Sequence, residues 1–251
     1  MDAQLHEFNR NSAGHDKIPG LIFIRKSAVA PILPAVTRKR FIALIILLVL
    51  AAGWWWRQPN HWPLVNLPPG ATGPWVAFGD SLTEGHGASE GASYPALLGR
   101  ELGVSIRNFG VSGHTTADGL KRLDEVAAME PRVVLLCLGG NDGLNKLPRE
   151  QMLANLRAII LRLQGGGSFV VLIGIRSASL RDQNESHFRA LAKETGCHYV
   201  PDLLRGVWGR PVLMSDAIHP NDQGYARIAG RLAEELRPLL ARIQSVGDAQ
   251  P

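Results

Sequence analysis

Cysteine is scarce in this chain: there are two in 251 residues, Cys137 and Cys197. Both lie in apolar runs, and neither belongs to a Cys-x-x-Cys pair. Neither a disulfide nor a thiolate metal site is expected, and both read as small buried hydrophobes. Aromatic residues are few as well. Beyond residue 74 the tryptophans are Trp75 and Trp208, which leaves little surface for stacking sugar rings. Charge of one sign is missing where a polyanion would need it. Residues 1–60 carry eight Lys or Arg against three acidic residues, which accounts for the whole net charge of +5, and from residue 61 onward there are 19 of each sign. A neutral body without a basic stripe argues against a nucleic-acid surface.

Long hydrophobic runs are also lacking, with one exception. Residues 41–56, FIALIILLVLAAGWWW, are sixteen uncharged residues between Arg38-Lys39-Arg40 and Arg57. A helix needs about 20 residues to cross ~30 Å of hydrocarbon. Snorkelling arginines and an interfacial Trp54-Trp55-Trp56 cluster can make up the difference. The basic triplet ahead of the run predicts a single-pass anchor in the inner (cytoplasmic) membrane. The N-terminus is then cytoplasmic and the remainder periplasmic or extracellular. The alternative is a signal peptide cut near Ala51, which would release the remainder. Residues 1–40 read as a basic tail. The stretch 57–74, with Pro59, Pro63, Pro68, Pro69 and Pro74, reads as a stiff spacer. A folded domain is expected over 75–243, followed by a tail over 244–251.

Within that domain, short apolar runs alternate with helical spacing. Strands are expected at 75–79, 104–109, 133–138, 169–173 and 198–200, and helices at 94–102, 116–128, 149–163, 182–195 and 222–240. In the last helix Tyr225, Ile228, Ala229, Leu232, Leu236 and Leu239 recur at three and four. Strands that are apolar throughout and alternate with helices imply a mostly parallel sheet buried on both faces. The expected fold is a three-layer α/β/α sandwich of about five strands, with its reactive loops at the carboxyl ends of the strands.

Four motifs sit just after expected strand ends or before the last helix. In Gly79-Asp80-Ser81 the chain leaves the first strand through a tight turn that can expose a hydroxyl. A serine hydroxyl needs a base to become a nucleophile. His219 is the candidate base, framed by Asp216 and Pro220 in a short turn, and Asp216 can orient its ring. Asp216 could instead serve only to form that turn, although Asn221 and Asp222 lie nearer the helix start. The N–H groups of Ser81 and of Gly113, with the Asn141 side chain, can supply an oxyanion hole. Such a set performs acyl transfer and needs no cofactor or metal.

GDSLTEG at 79–85, NFGVSGHTT at 108–116, LGGND at 138–142 and SDAIHPN at 215–221 appear in order. In these blocks the chain resembles the SGNH, or GDSL-type, hydrolases, and is most similar to the bacterial thioesterase I, lysophospholipase L1 and arylesterase group. The resemblance covers roughly residues 74–240. It implies the flavodoxin-like SGNH fold, with Ser81 as nucleophile, His219 as base, Asp216 as its orienting acid, and Ser81, Gly113 and Asn141 at the oxyanion hole. It implies a serine esterase acting on a small carboxylic ester or thioester, lysophospholipids included, with a monomeric catalytic domain. Carbohydrate O-acetylesterase or acetyltransferase activity on envelope polysaccharide is the alternative. The stretch after the fourth strand, 174–180, is short, and the resemblance implies that it helps shape the acyl pocket.

Overall fold

A computed structural model of the protein describes residues 38–57, 60–175 and 184–244. The first element, α1 (Arg38–Arg57), carries the long apolar run, and its side chains from Arg40 to Leu50 are all exposed. Among the described residues no helix is long and apolar enough to cross a membrane. The uncharged part of α1, at 1.5 Å per residue, reaches about 24 Å.

Five parallel strands form one sheet in the order β2-β1-β3-β4-β5. They are β1 (Trp75–Gly79), β2 (Ile106–Gly110), β3 (Val133–Cys137), β4 (Phe169–Ile173) and β5 (His198–Val200). Every residue of β1, β3 and β4 is buried, as apolar runs covered on both faces require. Side-chain alternation divides the core in two. Trp75, Ala77, Leu135 and Val171 face α3 (Tyr94–Leu102) and α9 (Asp222–Gln244). Val76, Phe78, Leu136 and Leu172 face the opposite layer, which contains α4 (Thr116–Lys121), α5 (Leu123–Ala127), α7 (Arg149–Gly165) and α8 (Asn184–Thr195). Two short helices complete the set: α2 (Ser81–Glu84) directly after β1, and α6 (Gly140–Leu144) after β3.

Three expectations are corrected in detail. The single helix expected over 116–128 is broken at Arg122, whose φ of −109° and ψ of 10° are not helical. The last helix runs past Leu240 to Gln244 because Ile243, 1% exposed, extends its buried stripe. The proline-rich stretch is no free spacer from Asn60 onward; it straps the domain. The Trp62 indole is buried and donates to the carbonyl of Cys197 at 2.9 Å. Asn66 donates to the carbonyls of Gln164 and Ser168. Backbone bonds continue it to Gly196, Gly167 and Glu130, residues that precede β5, β4 and β3. Proline's missing N–H makes such a strap possible: a segment with few donors can cross the ends of strands without leaving many unsatisfied. The strap therefore lies at the amino ends of the strands, opposite the loops that follow their carboxyl ends.

Cys137 and Cys197 are free and buried, and burial pushes both thiols up, Cys197 to about 12. Residues 176–183, which include most of the loop expected to shape an acyl pocket, lie outside the described residues.

Candidate active site

The site begins where β1 ends. Gly79 is required there by close approach: a Cβ would sit 1.9 Å from Thr83 Oγ1 and 2.6 Å from the Cys137 carbonyl. Asp80 then caps α2, its Oδ1 accepting the N–H of Leu82 at 3.1 Å. Ser81 is thereby the first residue of a four-residue helix, and its hydroxyl borders the cavity above the sheet. Asp80 itself is buried, and burial raises its carboxyl to about 6 despite the Leu82 N–H and nearby His219, which pull it down.

His219 arrives from the other end of the chain, on the segment between a 3-10 turn at Pro211–Leu213 and α9. Its Nε2 lies 3.0 Å from Ser81 Oγ and its Nδ1 2.7 Å from Asp216 Oδ2. The other Asp216 oxygen accepts the N–H groups of Ile218, at 2.7 Å, and His219, at 2.8 Å. One carboxylate thus builds the turn and orients the ring, roles that the sequence had posed as alternatives. Those bonds hold Asp216 well below the usual carboxylate range, the His219 N–H contributing most, then the Ile218 N–H, then the ring.

Asn141 also lines the cavity, and its Nδ2 donates to the His114 carbonyl at 3.0 Å. Gly113 is not among the residues lining the cavity; it sits in the turn after β2 with a φ of 79°, where a side chain would be strained. Its loop is tied on both sides. Glu84 accepts from the N–H and hydroxyl of Ser112, while Arg122 Nε donates to His114 Nδ1 at 3.1 Å. Among the described residues, the N–H groups of Ser81 and Gly113 donate to no backbone carbonyl.

The supporting groups were not singled out from sequence. Arg122 donates to the carbonyls of Gly79 and Phe109, the last residue of β1 and the last but one of β2, and lies over the Phe78 ring. Asp142, buried, accepts from the N–H and hydroxyl of Thr116, and Asn155 donates to that same hydroxyl. The cavity, about 500 Å³, is walled by Leu82, Leu144, Ile175, Leu204, Trp208 and Ile218.

A buried first strand, a serine at its carboxyl end and a histidine–aspartate pair 138 residues away meet at hydrogen-bond distance. The family model for GDSL-like lipases and acylhydrolases matches residues 77–227. The chain belongs to this family. Among its relatives, the GDSL-like hydrolase is 34% identical over 174 residues to thioesterase 1/protease 1/lysophospholipase L1 of Escherichia coli, covering 66% of this chain and 84% of that protein. It is 31% identical over 173 residues to an arylesterase of Vibrio mimicus, covering 64% and 86%. The crystal structure of TesA superposes on the hydrolase with a TM-score of 0.62 at 29% identity, covering 66% of this chain and 98% of that one.

Proposed function

We propose that this GDSL-like hydrolase cleaves small carboxylic esters and thioesters through an acyl-enzyme on Ser81. The observation that carries this reading is the unbroken bridge Ser81 Oγ–His219–Asp216, at 3.0 and 2.7 Å. His219 Nε2 takes the hydroxyl proton as Ser81 Oγ bonds to the substrate carbonyl carbon. The Asp216 carboxylate accepts Nδ1–H and stabilises the imidazolium that forms. The negative oxygen is met by the N–H groups of Ser81 and Gly113 and by the Asn141 amide, held in place through His114. As the intermediate collapses, the bond to the alcohol or thiol breaks and His219 returns the proton to that leaving group. Water then repeats the sequence, and the acid departs.

The apolar walls of the cavity favour an aliphatic acyl chain or an aryl group over a sugar. A carbohydrate O-acetylesterase would need stacking and hydrogen-bonding groups there, and Trp208 is the single aromatic among the described residues that line it. Lysophospholipids fit the same chemistry, since their lone acyl ester is joined to a polar leaving group. We read α1 as an anchor in the inner membrane, its N-terminus cytoplasmic and the hydrolase domain outside. Its apolar run is short by itself and spans only with snorkelling of the flanking Arg38-Lys39-Arg40 and Arg57. The uniformly apolar exposed residues 41–50 and the preceding Arg38-Lys39-Arg40 support this reading.

Ser81→Ala is expected to leave folding intact and reduce ester turnover by at least about a thousandfold. A fluorophosphonate probe should label Ser81, as read by peptide mass spectrometry. Labelling elsewhere, with turnover surviving in the alanine variant, would overturn the assignment.

A further inference from the structure

His86 takes no part in the reaction above, yet its ring packs against the base. The two imidazole centroids are 4.4 Å apart, with planes inclined at 54°. His86 is exposed, and among the described residues its ring nitrogens have no hydrogen-bond partner. Its backbone, in contrast, is held firmly. The N–H donates to the carbonyl of Ser81 at 3.0 Å, and the carbonyl accepts from Tyr225 Oη at 2.9 Å. The next residue, Gly87, packs so closely that a Cβ would lie 2.1 Å from Ser215 Oγ. The backbone of His86 is tied on both sides, while its exposed ring has no hydrogen bond among the described residues to fix its rotamer.

One ligand atom from each of His86, Asp216 and His219 falls within 4.8 Å of the other two. Imidazole nitrogen and carboxylate oxygen are the usual non-thiolate zinc donors. Three protein ligands plus water is the arrangement of an accessible zinc site. Bonds of ~2.0 Å in a tetrahedron place ligand atoms about 3.3 Å apart. Asp216 Oδ2 and His219 Nδ1 already lie 2.7 Å apart, so a modest rotation of the exposed His86 side chain is what must bring the third donor to that spacing.

We propose that His86, Asp216 and His219 form an inhibitory site for a divalent transition-metal ion of the zinc class. The ion takes a lone pair from one ring nitrogen of each histidine and one from the Asp216 carboxylate. Entry at His219 Nδ1 moves that proton, by exchange with water, to Nε2, which then donates to Ser81 Oγ and cannot accept from it. Entry at Nε2 removes the acceptor directly. Either way the ring can no longer take the serine proton. A hard ion such as Mg²⁺, which prefers an all-oxygen shell, is not held. The inhibitory consequence rests on His219 being the base; the binding itself does not.

The two can therefore be tested apart. Calorimetric titration of ZnCl₂ into full-length Ser81→Ala protein in detergent should show one saturable site, and MgCl₂ should show none. Adding His86→Gln or His86→Ala should weaken that binding by about tenfold or more. In the active enzyme, Zn²⁺ should suppress aryl ester hydrolysis and a chelator should restore it. His86→Gln should raise the inhibitory concentration by a similar factor, while its metal-free kcat/KM stays within about threefold of wild type. Unchanged zinc affinity in both His86 variants, or no saturable binding to Ser81→Ala protein, overturns the site. Binding that leaves turnover intact overturns the inhibition. If no ester is cleaved at all, the calorimetric comparison still decides the metal site.

Discussion

At the scale of single residues, Asp80 carries the clearest electrostatic cost. Its carboxyl rises from 3.8 to about 6 because burial disfavours the charged form. The native state therefore holds this proton more tightly than the unfolded chain does. Stability is lost as pH rises from about 4 to about 6, and the full penalty, about 3 kcal/mol, persists above that. Asp80→Asn keeps an oxygen for the Leu82 N–H but buries no charge. Denaturant melts at pH 4 and pH 8 should show the pH-dependent loss shrinking by about 3 kcal/mol in the variant. Identical pH dependence in both proteins would mean that Asp80 titrates normally. The residues that perform the proposed chemistry were legible from sequence because each sits in a short local motif: Ser81 after a strand, Asp216 three residues before His219. Arg122, Asp142 and His86 were not legible. Arg122 reaches Gly79 from 43 positions away, and nothing in its own neighbourhood marks it.

At the scale of elements, β1, β4 and β5 were read residue by residue and β3 to within one. In contrast β2, the half-exposed edge strand IRNFG, begins at Ile106, two residues later than expected, because it lacks a continuous apolar run. The break in the helix at Arg122 escaped the reading because local spacing carries straight through it. The same residue binds the ends of β1 and β2, a tertiary demand invisible to periodicity. The strap escaped for a different reason: prolines suggest a spacer, and its bonds go to residues distant in sequence, from Glu130 for Gly73 to Tyr199, 139 positions on, for Asn60. Trp62→Ala tests it. Removing a buried indole and its bond to Cys197 should cost about 3–5 kcal/mol, measured by urea denaturation. Because the strap lies at the amino ends of the strands, kcat/KM below the melting range should hardly change. A loss under about 1 kcal/mol would mean that the strap is not part of the cooperative fold.

At the scale of the whole molecule, the proposed anchor predicts where the hydrolase works. If α1 anchors it, fractionated cells should hold the enzyme in the inner membrane with residues 41–56 present at its N-terminus. Protease added after the outer envelope is opened should then reach the domain. A soluble enzyme whose first residue lies near Gly53 would instead mean cleavage. Protection behind an intact inner membrane would reverse the topology. The apolar run and its basic flank were plain in the sequence. Its fate in a bilayer was not, because about 24 Å of uncharged helix falls between a confident span and a leader segment.

Asn60 has a consequence beyond stability. β5 is an edge strand, and an open edge invites pairing with another chain. The outward N–H and carbonyl of Tyr199, the middle residue of β5, are both taken by the Asn60 side chain, at 2.5 and 3.2 Å. A single amide imitates one residue of a sixth strand and goes no further, so the ladder ends there. A chain trimmed back to Trp75, where the strands begin, would lose more than the packing of Trp62. It would uncover a short, dry template beside Val200, and its fault would be self-association between molecules rather than unfolding within one.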